Sequence, residues 1–207
     1  MTHKLTHGDN CDVMTGGLDE DVEKLRQNLN GFPQPQVEPP LIVVGGLPGT
    51  GKSFFCHKLA ERLPFLILAS DTLRKVLFPS PRYKESENKR LFSACHALIE
   101  DLLSKGIPVI FDATNLLEHH REYLYRAAER AGAKLILVWM EAPIEVVQQR
   151  LFARKKAAML QNDSEAGWKV YNKMKPRRER ISRNHLVVDT SQDITVVIDK
   201  IVRATKR

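Results

Sequence analysis

The sequence is poor in features that would tie a chain to a membrane or to an oxidising compartment. No apolar run approaches the roughly 18–20 residues needed to cross a bilayer. The opening stretch "MTHKLTHGDNCDVMTGG" has no apolar core of the kind a secretory signal carries. No membrane partner is expected, and the cytoplasm is the expected location. Cysteine is scarce: Cys11, Cys56 and Cys95 form an odd, scattered set without CxxC spacing, which argues against a disulfide framework or a metal site. Aromatic residues make up only 7% of the chain, and no stretch interleaves them with glycine in the manner of a base-stacking platform. His57, His96, His119 and His120 show no metal-ligand spacing and read as surface or helix-face histidines.

What is present is material for a core and an uneven charge. With 207 residues and 43% hydrophobic content, the chain can bury one sizeable core and carry an extension. The net charge of +7 is concentrated between Arg150 and Arg183, where eleven Lys or Arg face only Asp163, Glu165 and Glu179, a local balance of +8. Such a block serves as a solvated helix face, a phosphate clamp or a groove for a polyanion. Residues 1–40 read as an N-terminal extension: a polar tail, a short amphipathic helix over Leu18–Asn30, and the linker "GFPQPQVEPP" with four prolines in ten residues.

From residue 41 to 207 short apolar runs alternate with longer amphipathic segments, the pattern of strands and crossover helices around a parallel sheet. The expected strands are Leu41–Gly45, Phe65–Ala69, Val109–Phe111, Lys134–Met140 and His185–Val188, all read as buried on both faces. The expected helices are Lys52–Leu63, Glu85–Lys105 closed by Gly106, His119–Ala131 closed by Gly132, Ile144–Arg154 and Ile194–Thr205. The basic segment after Arg154 falls between a helix and the last strand, as an insertion at one sheet edge.

The stretch "GLPGTGKSF", from Gly46 through Leu47, Pro48, Gly49, Thr50, Gly51, Lys52 and Ser53 to Phe54, follows the first strand and opens a helix. It satisfies the phosphate-loop pattern of two glycines five apart followed by Lys and Ser. Glycines let successive backbone N–H groups turn inward around an anion, and the helix adds its N-terminal partial charge. Lys52 can reach the β and γ phosphates of ATP, and the Ser53 hydroxyl can ligate Mg²⁺. A plain glycine-rich turn does not account for Lys52 and Ser53 together.

In open parallel sheets ligands lie beyond the carboxyl ends of strands, so polar residues there are the next candidates. The second strand ends in "SDTLR", placing Asp71 and Arg74 three apart at a helix start; the bland alternative is that Ser70 or Asp71 is an N-cap. The third ends in "FDATN". Asp112 there can hold the metal through water or accept a proton, and Asn115 reads as the cap of the following helix. After the fourth strand, Arg150 and Arg154 lie one helical turn apart, with no partner evident at helical spacing, as in a lid that closes over transferring phosphate. Trp168 and Tyr171, three apart, read as core.

Taken together, "GLPGTGKS", "SDTLR", "FDATN" and "RLFAR" resemble the small P-loop kinases of the polynucleotide kinase and zeta-toxin-like type, including the group labelled AAA-type ATP-binding proteins. The later "DSEAGWKVYNKM" is similar to that group too, and the likeness spans about residues 41–192. It implies an α/β three-layer sandwich with a five-stranded parallel sheet in the order 2-3-1-4-5, helices on both faces and a basic lid. It also implies transfer of the ATP γ-phosphate to a hydroxyl, with ATP and Mg²⁺ required. Position by position, it makes Asp71 the general base, Arg74 the binder of an acceptor phosphate, and Arg150 or Arg154 the lid arginine on the donor phosphates; Asp112 matches the Asp of the family's DxTN-like motif. The acceptor stays open: a polynucleotide 5′-end, a small molecule, or the nucleotide sugar that toxins of this type phosphorylate. A nucleotide-binding ATPase switch is the reading from another class, and Asp71 speaks against it because a switch needs no acceptor base.

Overall fold

The computed structural model describes residues 15–157 and 166–206, and of residues 15, 16, 154–157 and 166 the backbone alone. Cys11, the segment 158–165 and the Arg154 side chain therefore lie outside the described residues. The order is α1 (Thr15–Gln27), β1 (Pro40–Gly46), α2 (Lys52–Ala60), β2 (Leu66–Ala69), α3 (Ser70–Leu77), α4 (Glu85–Ser104), β3 (Val109–Asp112), α5 (Glu118–Arg130), β4 (Lys134–Glu141), α6 (Ile144–Ala157), α7 (Ala166–Met174), a 3-10 turn (Lys175–Arg177), β5 (Leu186–Asp189) and α8 (Thr195–Thr205).

The five strands form one parallel sheet in the order β2-β3-β1-β4-β5. β1 is buried along its whole length, as a central strand covered on both faces must be. One face carries a core of Leu41, Val43, Val109 and Phe111 packed under α1, α3, α4 and α5; the other packs Ile42, Val44, Ile110 and Val138 against α2 and α8. The expectation that all five strands are buried on both faces fails at β5. As the edge strand it leaves Val187 exposed and buries only Val188.

Gly106 and Gly132 close α4 and α5 in the left-handed conformation, at φ 76° and 59°. At Gly106 a side chain has no room, because a Cβ would stand 2.7 Å from the Gln36 carbonyl. The same approach lets Gln36 N–H donate to the Gly106 carbonyl at 2.7 Å, pinning the proline-rich linker to the end of α4. α1 packs on α3 and α4, with Leu25 fully buried in the larger core. Its Asp21, 1% exposed, accepts from Arg90 Nε and Nη2 at 2.5 and 2.7 Å.

Strand order reverses at β1, which has β3 on one side and β4 on the other. A crevice opens at such a switch point beyond the carboxyl ends of the strands, where the chain leaving β1 and the chain leaving β3 diverge. No described helix is long and apolar enough to cross a membrane.

Candidate active site

The loop from Gly46 to Gly51 leaves β1 at that switch point and delivers the chain to the first turn of α2. Three of its glycines have positive φ: 148° at Gly46, 81° at Gly49 and 87° at Gly51. Each is also crowded. A Cβ would lie 2.7 Å from the Met140 carbonyl at Gly46, 3.0 Å from Val147 and Leu151 of α6 at Gly49, and 3.1 Å from Thr190 at Gly51. Backbone angle and close packing thus both select glycine. Thr50, buried, donates its hydroxyl to the Leu47 carbonyl at 2.8 Å, and Lys52 Nζ donates to the same carbonyl at 3.0 Å. Phe54 points outward, 58% exposed.

At the floor of the crevice, Ser53 Oγ donates to Asp112 Oδ2 at 2.6 Å. The pair joins α2 to the end of β3, since Val44 of β1 is in register with Asp112. A hydroxyl and a carboxylate side by side next to a phosphate loop are the hard oxygen donors Mg²⁺ takes, with phosphate and water completing its shell. The residues therefore fit the ion; among the described residues no cluster of three or more His, Cys, Asp or Glu offers a metal a different home. Cys56, one turn further along α2, is no competing nucleophile, because burial and then the Asp112 charge push its thiol far up.

Asn115 does not cap α5. The N-cap position is Leu117, without a side-chain bond, and Asn115 sits in the left-handed region at φ 47° with its Nδ2 donating to the Val44 carbonyl at 3.1 Å. With Gly46 N–H donating to the Thr114 carbonyl at 3.0 Å, residues 114–115 stitch the end of β3 to the start of the phosphate loop. Likewise Ser70 and Asp71 are not caps: α3 starts after Ala69, and no side-chain cap bond is formed.

A cleft of 1770 Å³ connects these parts, and Lys52, Ser53, Asp71, Arg74 and Asp112 all line it. Asp71 is exposed at the first turn of α3. Arg74 is 6% exposed; its Nη2 donates to Asn88 Oδ1 at 2.7 Å, and its guanidinium lies 4.8 Å from the Tyr83 ring centre. Its Nε and Nη1 are buried without a hydrogen-bond partner. A buried guanidinium with two unmet N–H groups is costly unless an anion completes it.

Arg150 is not brought into the cleft. Its Nη1 donates to Thr190 Oγ1 at 2.6 Å and its Nη2 to the Thr190 carbonyl at 2.8 Å, on the far flank of the phosphate loop. The partner that helical spacing did not reveal is forty residues away. Thr190 Oγ1 in turn donates to the Thr50 carbonyl at 2.8 Å, so one hydroxyl joins Arg150 to the loop. Thr190→Val should therefore lower ATP turnover by roughly 10-fold or more, the scale of a hydrogen bond to a charged group, with KM for ATP moving less. Thr190→Ser should restore it; steady-state kinetics of the pair, with equal loss in both variants as the contrary result, checks the latch.

Sequence reasoning passes over Thr190, Asn88 and Arg121. Arg121, 2% exposed, donates to the Asn115 carbonyl at 2.5 Å, to Glu118 at 2.6 Å and to the carbonyls of Glu179 and Arg180 at 3.2 and 2.9 Å. It anchors the chain returning from α7 to the head of α5. Trp168 and Tyr171 stack on each other at 5.0 Å and pack with Trp139, as core. In the basic block, Lys173 and Arg177 line the cleft, whereas Arg178 is paired with Glu141 at 2.9 Å and Arg183 with Glu129 at 2.7 Å.

A phosphate loop at the switch point of a 2-3-1-4-5 parallel sheet, with a hydroxyl-carboxylate pair beneath it, defines a P-loop nucleotide-binding protein. Residues 41–181 match the model of the AAA domain family, and the chain belongs to that family. In structure it is similar to the APS kinase CysC of Mycobacterium tuberculosis, solved with AMPPNP and APS, at 18% identity and TM-score 0.61, over 84% of this chain and all of that one. Kti12 of Chaetomium thermophilum, solved with ADP-AlF3, is similar at 22% identity and TM-score 0.63, over 80% of this chain and 98% of that one. A gluconokinase of Sinorhizobium meliloti is similar at 21% identity and TM-score 0.56, over 80% and 90%. These likenesses carry the fold, which this chain shares with P-loop kinases.

Proposed function

We propose that the protein is an ATP-dependent phosphotransferase acting on a hydroxyl of an anionic acceptor. The observation that carries this reading is Arg74, buried with two unmet N–H groups in the same cleft as the phosphate loop. A mere nucleotide switch has no use for a second anion clamp beside its phosphate loop.

The loop N–H groups and Lys52 hold the donor phosphates, and Arg74, braced by Asn88 and Tyr83, holds the acceptor anion. Asp71, on the same helix as Arg74, takes the proton of the acceptor hydroxyl. The oxygen so freed bonds to the γ-phosphorus as the bond from that phosphorus to the β-γ bridging oxygen breaks, leaving ADP and a phosphate ester. Ser53 and Asp112 would hold Mg²⁺, directly or through water, and the ion would supply charge compensation to the donor phosphates. Fixing both reactants side by side in one cleft is where most of the rate gain in such transfers arises.

For the acceptor, the finer reading is a polynucleotide 5′-hydroxyl end, supported by Lys173 and Arg177 lining the cleft. A small anionic acceptor is the second reading, favoured by the engagement of Arg178 and Arg183 in ion pairs away from it. Incubation with γ-labelled ATP and separate pools of RNA, DNA, nucleotides and sugars tests both. The polynucleotide reading expects label on oligonucleotides and steeply salt-dependent oligonucleotide binding, with Lys173→Ala/Arg177→Ala flattening the slope by roughly 0.7 unit for each lost phosphate contact. Label on small molecules alone, with no oligonucleotide binding in low salt beside a non-hydrolysable ATP analogue, selects the second.

A further inference from the structure

The cleft continues past Arg74 into a groove between α4 and α5 that is floored by rings. Phe92 stacks on His120 at 5.0 Å between centroids and 28° between planes, and His96 stacks on Tyr123 at 5.3 Å and 22°. The two pairs are joined by His96 and His120 at 6.0 Å, and His119 adds to the end at 4.2 Å from His120. All five line the same cleft as Lys52 and Asp71, and Tyr123 is 57% exposed. The Glu100–Arg130 ion pair, at 2.6 Å, stands at the far end of the groove.

Two features set this ladder apart from an ordinary helix-helix seam. First, three of its five rings are imidazoles, His96, His119 and His120. Burial, then His120 and His119, pushes His96 down to about 4, so near neutral pH its ring is an uncharged stacking surface; burial and then His119 also push His120 down. His96 Nε2 is buried with no hydrogen-bond partner among the described residues. Second, α4 sets the ladder at a fixed distance from the anion clamp. Asn88, which holds Arg74, is followed by Phe92 and His96 at intervals of four residues, so the rings begin about 6 Å along the helix from the clamp and extend to about 12 Å.

We propose that this groove is the acceptor's ring subsite, and that the acceptor is a nucleoside phosphate whose phosphate meets Arg74 while its base stacks on the Phe92–His96–His120–Tyr123 ladder. The assignment rests on the phosphotransferase reading and narrows it, since a sugar acid or an aliphatic alcohol has no planar face for such a ladder. Free mononucleotides and the terminal residue of a strand share this chemistry.

Calorimetry on the full chain separates the possibilities. Binding of a non-hydrolysable ATP analogue is measured first, on wild type and on Lys52→Ala; no binding by wild type overturns the phosphotransferase reading and this one with it. With the analogue bound, a nucleoside 3′-monophosphate is compared with ribose 3-phosphate. The base should tighten binding about 10-fold or more, the scale of one base stacked on aromatic side chains. Phe92→Leu and, because it is the more exposed position, Tyr123→Leu should each remove most of that difference while leaving ribose phosphate and analogue binding unchanged. A 5′-hydroxyl oligonucleotide with and without its terminal base forms a parallel arm: a base effect there alone assigns the subsite to strand ends, and a base effect in both assigns it to either source. Equal affinity with and without the base in both arms, alongside intact analogue binding, overturns the ring subsite and leaves the phosphotransferase reading standing.

Discussion

Lys52→Ala is expected to lower phosphoryl transfer by roughly 10³-fold or more, the range in which charged groups acting on the transferring phosphate operate. The fold should be spared. Lys52 belongs to none of the three hydrophobic clusters, and the loop conformation is held by Thr50, the glycines and the packing of Val147 and Leu151 on Gly49. Thermal unfolding and circular dichroism close to wild type, together with loss of label transfer, are the expected pair of results. Near-normal turnover of ATP by the variant would remove the phosphate loop from the chemistry, and with it the proposed activity.

Asp71→Asn is expected to cost roughly 10²–10⁴-fold in transfer while ATP affinity stays within a few-fold, because the amide keeps the shape of the carboxyl and loses its ability to take the acceptor proton. Asp112→Asn is the informative contrast. Asp112 already accepts the Ser53 hydroxyl at 2.6 Å beneath the phosphate loop, so its variant should lose Mg²⁺-dependent nucleotide affinity first. Titrations of ATP analogue with and without Mg²⁺, set beside single-turnover transfer, resolve the two roles. The reverse pattern, affinity lost at Asp71 and transfer alone lost at Asp112, exchanges metal ligand and base.

These two carboxylates show how far the sequence reaches. Both could be found because each ends an apolar run, and runs bounded by polar residues mark strand ends in a parallel sheet. Asn115 shows the limit. At the same kind of position it was read as a helix cap, yet it takes a left-handed backbone and turns its amide back to Val44. Only the presence of the neighbouring strand decides between the two uses of an Asn side chain. Arg150 is the parallel case on the donor side: its partner, Thr190, lies on a loop after the edge strand and shares no local periodicity with it.

The phosphate loop, the five strands and the AAA-type grouping were legible in the sequence, since a loop that binds phosphate through consecutive N–H groups must be written in consecutive residues, and buried strands in consecutive apolar ones; the helices Ser70–Leu77 and Ala166–Met174 were not among those expected. What the tertiary structure alone decided is what surrounds Arg74. Arg74, Asn88 and Tyr83 come from α3, α4 and the loop between them. The rings of Phe92, His96, His119, His120 and Tyr123, in a sequence with no visible stacking platform, meet because α4 and α5 pack with those faces together. Side-chain clamps and stacking surfaces depend on which helix faces turn toward one another, and that is settled by how α4 and α5 bury Leu98, Leu102 and Leu124 in the shared core, not by any spacing along the chain.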